Sequence, residues 1–600
     1  MKFNELLKRV EKPTRYLGEE RGSVVKDPSN KVNFLLAFPD RYEVGMSHLG
    51  MHILYGLVND QEEYLCERVF APAPDMEAFI REGQAELFSL ESKRPMKDFD
   101  IVGFTLQYEM SFLGVLRMLE LGGLALRREE RLETDPPIIA GGPAGFNPEP
   151  MSGFIDLFLL GDGEEALLEI LELWEKTGNK EDFLREALKI RGVYVPKFYE
   201  PVYEGGVYMG LKKLVDEAPL PIKKALVNDL DSAYFPKTMI VPFMDIIHDR
   251  AVMEIFRGCT KGCRFCQAGM IYRPLRERSL KTIVRSIDSL LKEGGYNEVG
   301  LSSLSTLDYS AIYSLVDELT SSYSEDHIRF SLPSLRLDTF SIEVLELLKD
   351  QRKGSLTFAP EAGSQRMRDV INKNVGEEDL FNTMEKIFKD GYKKVKFYFM
   401  MGLPGETLDD VREIAELTKK VLDLYRKLTG RSDLHITVST SCLVPKPFTP
   451  FQWMAQESIE DFEEKQQLLR SLLKGKNFRY DYHDASTSVA EGHLCRSGRE
   501  MVDLLEYIYI NSDKTKAVDY FDGGLWQQAF EHFSRDLNEM AGIETDQVLF
   551  WDHIDVGVKK TYLMKEWHKA QQGLLTEDCR WGCLGCGVNL AQFGGVCNDY

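Results

Sequence analysis

The sequence predicts an α/β protein in three parts: a doubly wound parallel sheet, an open partial βα barrel of six steps, and a mainly helical, cysteine-containing carboxyl-terminal region. Three observations predict it. Short apolar runs alternate with segments of helical periodicity from residue 32 to 180, the pattern that builds parallel sheets. From 251 the alternation resumes with six apolar runs and five intervening helices, short of the steps that close a barrel. After 475 the beat stops. A chain of 600 residues is too long for one core, and the changes of pattern place boundaries at 1–180, 181–245, 246–475 and 476–600.

The elements follow in order. An amphipathic lead-in precedes "VNFLLAFP" (32–39), a buried strand, and "LGMHILYGLVND", a helix. "YLCERVFA" and "DIVGFTLQ" (100–107) read as strands, with the helical "MSFLGVLRMLELGG" after the second. "PPIIAGGP" and "DLFLLGDGEEALLEILELWEKTG" complete the unit. Ligands of such sheets bind at the carboxyl ends of the strands, which here carry the turns "GGPAGFNPEP" and "GDGEE". Residues 181–245 have weaker periodicity and read as a linking segment with short strands. The barrel strands are "AVMEIF", "NEVGLSSLS", "HIRFSLP", "GSLTFAP", "KVKFYFMMG" and "LHITVSTSCLVP". The helix "SLKTIVRSIDSLLKEGG" has a Ser279 cap, an apolar stripe through Leu280, Ile283, Val284, Ile287, Leu290 and Leu291, and a glycine stop. "REMVDLLEYIYINS" and "GLWQQAFEHFSRDLNEMAG" are helices of the last region, which ends in a Gly- and Cys-rich stretch.

Charge and cysteine usage narrow the function classes. Ninety-six acidic against 74 basic residues give a net charge of -22, which repels polyanions unless a local basic patch offsets it. No apolar run reaches the ~18 residues that cross a bilayer. The opening "MKFNELLKRVEKPTRYLGEE" lacks the apolar segment of a secretory signal. A cytoplasmic protein with no membrane contact is therefore expected. There, clustered cysteines hold metal more often than they form disulfides.

Ten cysteines are present, and three fall within "IFRGCTKGCRFCQAG": Cys259, Cys263 and Cys266, spaced C-x3-C-x2-C. Three thiolates can serve zinc or an iron–sulfur cluster. Zinc wants a fourth ligand close by, and the next cysteine is Cys442. A cubane held by three thiolates leaves one iron open, which suits catalysis. Gly258 and Gly262 let the loop curl tightly, and Phe265 sets an aromatic ring beside the last cysteine.

This loop, placed after the first strand of a partial βα barrel, resembles the radical S-adenosylmethionine (SAM) superfamily. The resemblance implies a [4Fe–4S] cluster on Cys259, Cys263 and Cys266 whose open iron chelates SAM. One electron then cleaves SAM to methionine and a 5′-deoxyadenosyl radical. It also assigns candidate cofactor contacts at successive strand ends. "LSSLSTLDY" (Leu301–Tyr309) departs from the common GGE but is similar to the Ser-rich version of methylthiotransferase-like members, giving Ser302, Ser303 and Ser305. "SLPSLRLD" offers Ser334 and Arg336, the latter for the SAM carboxylate. "FAPEAGSQRMRDVINK" offers Glu361 for the ribose hydroxyls, and "MMGLPGET" offers Gly402, Pro404 and Gly405, where backbone can approach adenine. Phe265 completes the set. Arg273, Arg276 and Arg278 in "YRPLRERSLK" either face an anionic substrate or the SAM carboxylate, or are a solvated helix start.

The amino-terminal sheet resembles the Rossmann-like cobalamin-binding domain fused ahead of many radical SAM enzymes. The D-x-H-x-x-G motif of histidine-on members is missing: Met46 stands two before His48, and Met51 holds the glycine place. Cobalamin would thus bind without histidine ligation, and whether it is retained stays open. His48 and His52 are expected to pack at a helix end. The last stretch repeats the spacing at Cys579, Cys583 and Cys586, with Cys597 as a fourth thiol, and suits a second iron–sulfur cluster or zinc. "KPTRYLGEE", "GCTKGCRFCQAGMIYRPLRERS", "VPKPFTPFQW" and "WDHIDVGV…TEDCRWGC" together resemble one family of bacterial cobalamin-type radical SAM proteins. The function implied is SAM cleavage for methyl transfer or methylthiolation of an RNA, protein or small-molecule substrate. A flavodoxin- or ferredoxin-type protein would supply the electron. The competing expectation is a non-catalytic metal-binding module that binds RNA.

Overall fold

The computed structural model describes residues 3–323, 327–331 and 356–588. The first sheet contains Val32–Phe38 (β1), Tyr64–Phe70 (β2), Ile101–Thr105 (β3), Ile138–Gly141 (β4), Leu157–Leu159 (β5) and Val193–Tyr194 (β6). Its order is β2-β1-β3-β4-β5-β6. All neighbours are parallel except β5 and β6. β1 and β2 are buried at every position, as expected of parallel strands covered on both faces. The chain steps one way from β1 to β2 and the other way from β1 to β3, so the carboxyl ends of β1 and β3 open a crevice at the switch point.

The linking segment is more ordered than its weak periodicity suggests. β6 belongs to the first sheet although it starts at 193, because a two-residue strand leaves no period to read. Tyr199–Glu204 and Val207–Lys213 form an antiparallel hairpin. Ile222–Lys223 pairs with Ile554–Asp555, tying this segment to the carboxyl-terminal region.

In the barrel, Ala251–Glu254 (β7), Glu298–Ser302 (β8) and Arg329–Ser331 (β9) form one parallel sheet. Leu356–Glu361 (β10), Lys394–Met401 (β11), His435–Cys442 (β12) and Phe478–Tyr482 (β13) form another. The six expected strands are therefore joined by a seventh, β13, beyond residue 475. Its sequence "FRYDY" is only half-buried and lacks the apolar run that marks the others. Ser279 caps the helix Leu280–Gly294 by accepting from the Thr282 N–H, and Gly295 ends it at φ +71°.

Two buried histidines give the fold an acid sensitivity. The neutral His52 ring donates Nε2–H to the Met46 carbonyl at 3.0 Å, and burial holds its pKa down at about 4. His493 bonds the Leu537 carbonyl at 2.9 Å and is also lowered by burial to about 4. The unfolded chain binds protons at these rings near pH 6.5 and the folded chain does not. Their stabilisation is complete above that pH and is lost as the pH falls toward 4, by up to about 3 kcal/mol per ring. Melting temperature should fall through this window, and His52→Asn should flatten the fall. An unchanged slope would remove His52 from the account.

Candidate active site

The cysteine loop leaves β7 and is pinched at its neck, where Phe256–Arg257 pairs antiparallel with Arg276–Glu277. Gly258 sits at φ +87°, and a Cβ there would lie 2.5 Å from the Pro274 carbonyl oxygen. Gly262 has φ +72°. Between these turns stand Cys259, Cys263 and Cys266, all partly buried. Cys266 Sγ accepts the Gly269 N–H at 3.3 Å. Burial pushes the Cys266 thiol up to about 12, Cys263 and Cys259 add to this, and the Lys373 ammonium opposes it. Cys259 and Cys263 thus raise the cost of ionising Cys266, and a metal cluster removes that cost. The donor set fits the iron–sulfur cluster that the spacing implies.

Segments distant in sequence hold the loop. Arg264 is fully buried and donates to the carbonyls of Asp369 (3.1 Å), Val370 (2.9 Å) and Leu574 (2.6 Å), and to Glu566 at 3.1 Å. Asn372 Nδ2 donates to the carbonyls of Lys261 and Gly262 at 3.3 and 3.2 Å. The C-terminal helix Lys560–Gln571 thus supplies Glu566 as a buried anchor. Gly258→Ala should cost about 1–3 kcal/mol of loop strain. It should lower iron bound per chain after anaerobic reconstitution; full loading would show that the neck tolerates a side chain.

A cavity of about 530 Å³ lies between the first sheet and the loop. Its first wall is the carboxyl ends of β1, β3, β4 and β5, through Leu36, Thr105, Gly142 and Gly161. Its second wall is Phe256, Arg257, Gly258, Tyr272 and Ser302–Leu304. Arg257 crosses between them, paired with Asp162 (3.2 Å) and Glu164 of the sheet domain and Glu254 (2.8 Å) of β7. The carboxyl edge of one sheet therefore faces that of the other, with the cysteine loop at the seam.

The remaining candidates distribute as follows. Ser302 and Ser303 line this cavity, whereas Ser305 is buried and donates to Asp308. Phe265 packs on the apolar cluster of Ala362, Met367 and Leu403, which joins the loop to the ends of β10 and β11. Glu361 stands at φ +69°, at a register shift in β10, and accepts from Lys373 at 3.0 Å. Gly402, Pro404 and Gly405 line a different, open cavity of about 770 Å³ with Trp453, Ile543 and Trp567. The structure does not bring them into the cavity of Ser302 and Ser303. Ser334, Arg336 and Cys597 lie outside the described residues.

The three arginines are neither a solvated helix start nor a free basic patch. Arg276 is buried and donates to Asp162 and to the Val227 carbonyl. Arg278 is buried and donates to the Leu230 carbonyl and, at 3.3 Å, to Glu254. Arg273 is buried at 3% exposure, and its Nε donates to the Gly269 carbonyl at 2.9 Å. His52 packs at its helix as expected. His48, at the N-terminus of Leu49–Asn59, also lines the cavity, and its Nδ1 has no hydrogen-bond partner among the described residues. Lys373, Arg264 and Glu566 escaped sequence reasoning. The C-terminal anchor lies hundreds of residues from the loop, and no local pattern marks that pairing.

Residues 253–418 match the family model of the radical SAM superfamily, and residues 50–196 match that of radical SAM proteins, N-terminal. The chain belongs to the radical SAM superfamily and is an enzyme whose cofactors include SAM and a [4Fe–4S] cluster. It is 28% identical to an uncharacterized protein of Methanocaldococcus jannaschii, over 79% of this chain and 91% of that one. It is 26% identical to the ribosomal protein uS12 methylthiotransferase RimO of Thermotoga petrophila, over 39% of this chain and 57% of that one. Among solved structures, the radical SAM methyltransferase TsrM from Kitasatospora setae, with cobalamin and a [4Fe–4S] cluster bound, superposes with a TM-score of 0.48. That match has 15% identity and covers 70% of this chain and 77% of that one. No helix among the described residues is long and apolar enough to cross a membrane.

Proposed function

We propose that this radical SAM enzyme transfers a methyl group to a substrate held between the amino-terminal sheet and the cysteine loop, with a corrinoid against the sheet's carboxyl edge. The observation that carries this is the cavity of about 530 Å³ shared by the two sheet ends. It lies at the switch point, where open α/β sheets bind their ligands, and it reaches Gly258 beside Cys259. The unpartnered Nδ1 of His48 leaves a buried nitrogen whose hydrogen bond a bound group would supply.

The cluster with SAM supplies one-electron cleavage to methionine and a 5′-deoxyadenosyl radical, and a bound corrinoid would supply a transferable methyl group. The chain's own residues position and shield. Cys259, Cys263 and Cys266 would hold the cluster. Phe265 and its apolar neighbours exclude water from one side of the loop. Ser302 and Ser303 offer hydroxyls at the end of β8, and Arg257, tied to both walls, keeps the domains in register. A small flavodoxin- or ferredoxin-type protein is the proposed electron source.

The substrate class favoured is a small molecule or a protein side chain. Asp162, Glu164 and Glu254 line the cavity beside Arg257, and the arginines that would make a basic patch are buried in internal pairs or beside the loop. Both facts disfavour a polyanion, and with it the RNA-binding module. Methylthiolation is the second reading, favoured by the likeness to a uS12 methylthiotransferase. The test is anaerobic purification from cells supplied with cobalamin. A bound corrinoid near one per chain, seen by its visible absorption, is expected. Protein that makes 5′-deoxyadenosine yet binds no corrinoid would overturn methyl transfer in favour of methylthiolation.

A further inference from the structure

We propose that Cys579, Cys583 and Cys586 bind a second iron–sulfur cluster, seated directly against the loop of the first, with Arg273 as its buried cationic partner. The triad repeats the C-x3-C-x2-C spacing of the first. Gly585 and Gly587 turn the chain on either side of Cys586 at φ +71° and +115°, whereas Gly258 and Gly262 precede Cys259 and Cys263 at +87° and +72°. The Gly585 N–H donates to Cys583 Sγ at 3.4 Å, as the Gly269 N–H does to Cys266 at 3.3 Å. Backbone N–H groups aimed at sulfur favour thiolate and its metal-bound form.

The segment is fixed on the first loop. The Cys579 N–H donates to the carbonyl of Thr260, the residue after Cys259, at 3.3 Å. Lys261 pairs with Asp308 at 3.0 Å and Asp578 at 3.2 Å, and Arg580 pairs with the same two carboxylates at 2.8 and 2.7 Å. This closed ring of four charges bolts Cys579 to the loop and to the turn after β8. At the far end, the Cys586 carbonyl accepts the Lys559 N–H at 2.8 Å.

Arg273 is the independent observation. Its Nη1 and Nη2 have no hydrogen-bond partner among the described residues, although the side chain is buried. It lies 5.6 Å from the centroid of the Tyr562 ring. The nearby groups that act on its charge are Tyr562, whose hydroxyl also faces the guanidinium, Cys586 and Cys579. A buried guanidinium so placed favours an anionic acceptor. Three thiolates on an iron–sulfur core provide that charge, and the sulfides provide acceptors. Three cysteines suffice for a cube, and Cys597, the fourth thiol of the stretch, lies outside the described residues.

The test uses full-length protein reconstituted anaerobically with iron and sulfide. Wild type should hold about eight irons per chain, counted as two cubanes. The triple variant Cys259→Ala/Cys263→Ala/Cys266→Ala should keep about half, with a reducible cluster signal by electron paramagnetic resonance. That variant cannot cleave SAM, so its iron reports on the second site whatever the reaction proves to be. Iron at half the expected value in wild type, or zinc in place of iron, would overturn the proposal. In the same triple background, Arg273→Gln should shift the remaining cluster's midpoint potential downward, because the reduced cluster loses its cation. An unmoved potential would remove Arg273 from the site. Should the triple variant fail to fold, Mössbauer spectra of the wild type decide: two cubanes are expected, and one alone refutes the second site.

Discussion

Cys263→Ala should reduce 5′-deoxyadenosine formation from SAM and dithionite by more than about a thousandfold, at least about 4 kcal/mol of barrier. The reason is coordination rather than packing. Cys263 is partly buried in a loop held by Arg264 and Asn372, so its loss leaves the loop's shape largely in place. What would be lost is one of the three proposed ligands, and a cubane with two thiolates would no longer keep its irons in the loop. Cys442, buried at the end of β12, is the control: Cys442→Ala should retain most of the product. The measurement is product per chain by chromatography. Comparable turnover by Cys263→Ala would show that SAM is not cleaved at this loop.

Arg264→Ala should cost about 3–5 kcal/mol, the penalty for stranding a buried charge by removing its partner. Arg264 and Glu566 are both buried, and Arg264 also satisfies three carbonyls from two chain segments. Thermal unfolding should occur at lower temperature, and iron should be lost before the global transition, because the loop is released first. Adding Glu566→Gln should restore part of the loss, since it removes a buried carboxylate left with the partly exposed Lys569 at 3.2 Å as its cation. The Thr576 hydroxyl, which donates to Glu566 at 2.9 Å, can serve the amide carbonyl instead. Additive losses in the double variant would contradict the pairing.

The parts of the site legible in the sequence were those set by local spacing. Cys259, Cys263 and Cys266, with glycines at the turns, announce a metal loop because ligand geometry and backbone conformation are both encoded within a dozen residues. The strands β1 to β5 were legible because parallel strands covered on both faces read as apolar runs, and β7 to β12 because short apolar or alternating runs recur between helical segments. β13 and β6 were not: one is half-buried and the other spans two residues. The arginines show the opposite failure. Arg273, Arg276 and Arg278 look like a surface patch in a charged stretch, and only the fold reveals Asp162, the Val227 carbonyl and Glu254 as partners of the last two. Gly402, Pro404 and Gly405 carry a turn signal that says nothing of which cavity the turn will line. Long-range pairs such as Arg264 with Glu566 leave no periodic trace, because the interaction is specified by packing across separate elements.

The two cavities follow from sheet topology. Placing the carboxyl edge of the amino-terminal sheet against that of the barrel encloses one space, and Arg257 bridges the seam. The C-terminal region then braces the outer side of the cysteine loop through Glu566, Tyr562 and Cys579. A loop clamped from two domains keeps its geometry.

The central claim is an iron that the polypeptide leaves free for SAM. Mössbauer spectroscopy of ⁵⁷Fe-loaded Cys579→Ala/Cys583→Ala/Cys586→Ala protein, which isolates the first cluster, tests it most directly. One iron of the four should change its isomer shift when SAM is added, while the other three stay fixed. Four irons unmoved by SAM, or a cluster with four protein ligands before its addition, would contradict the account.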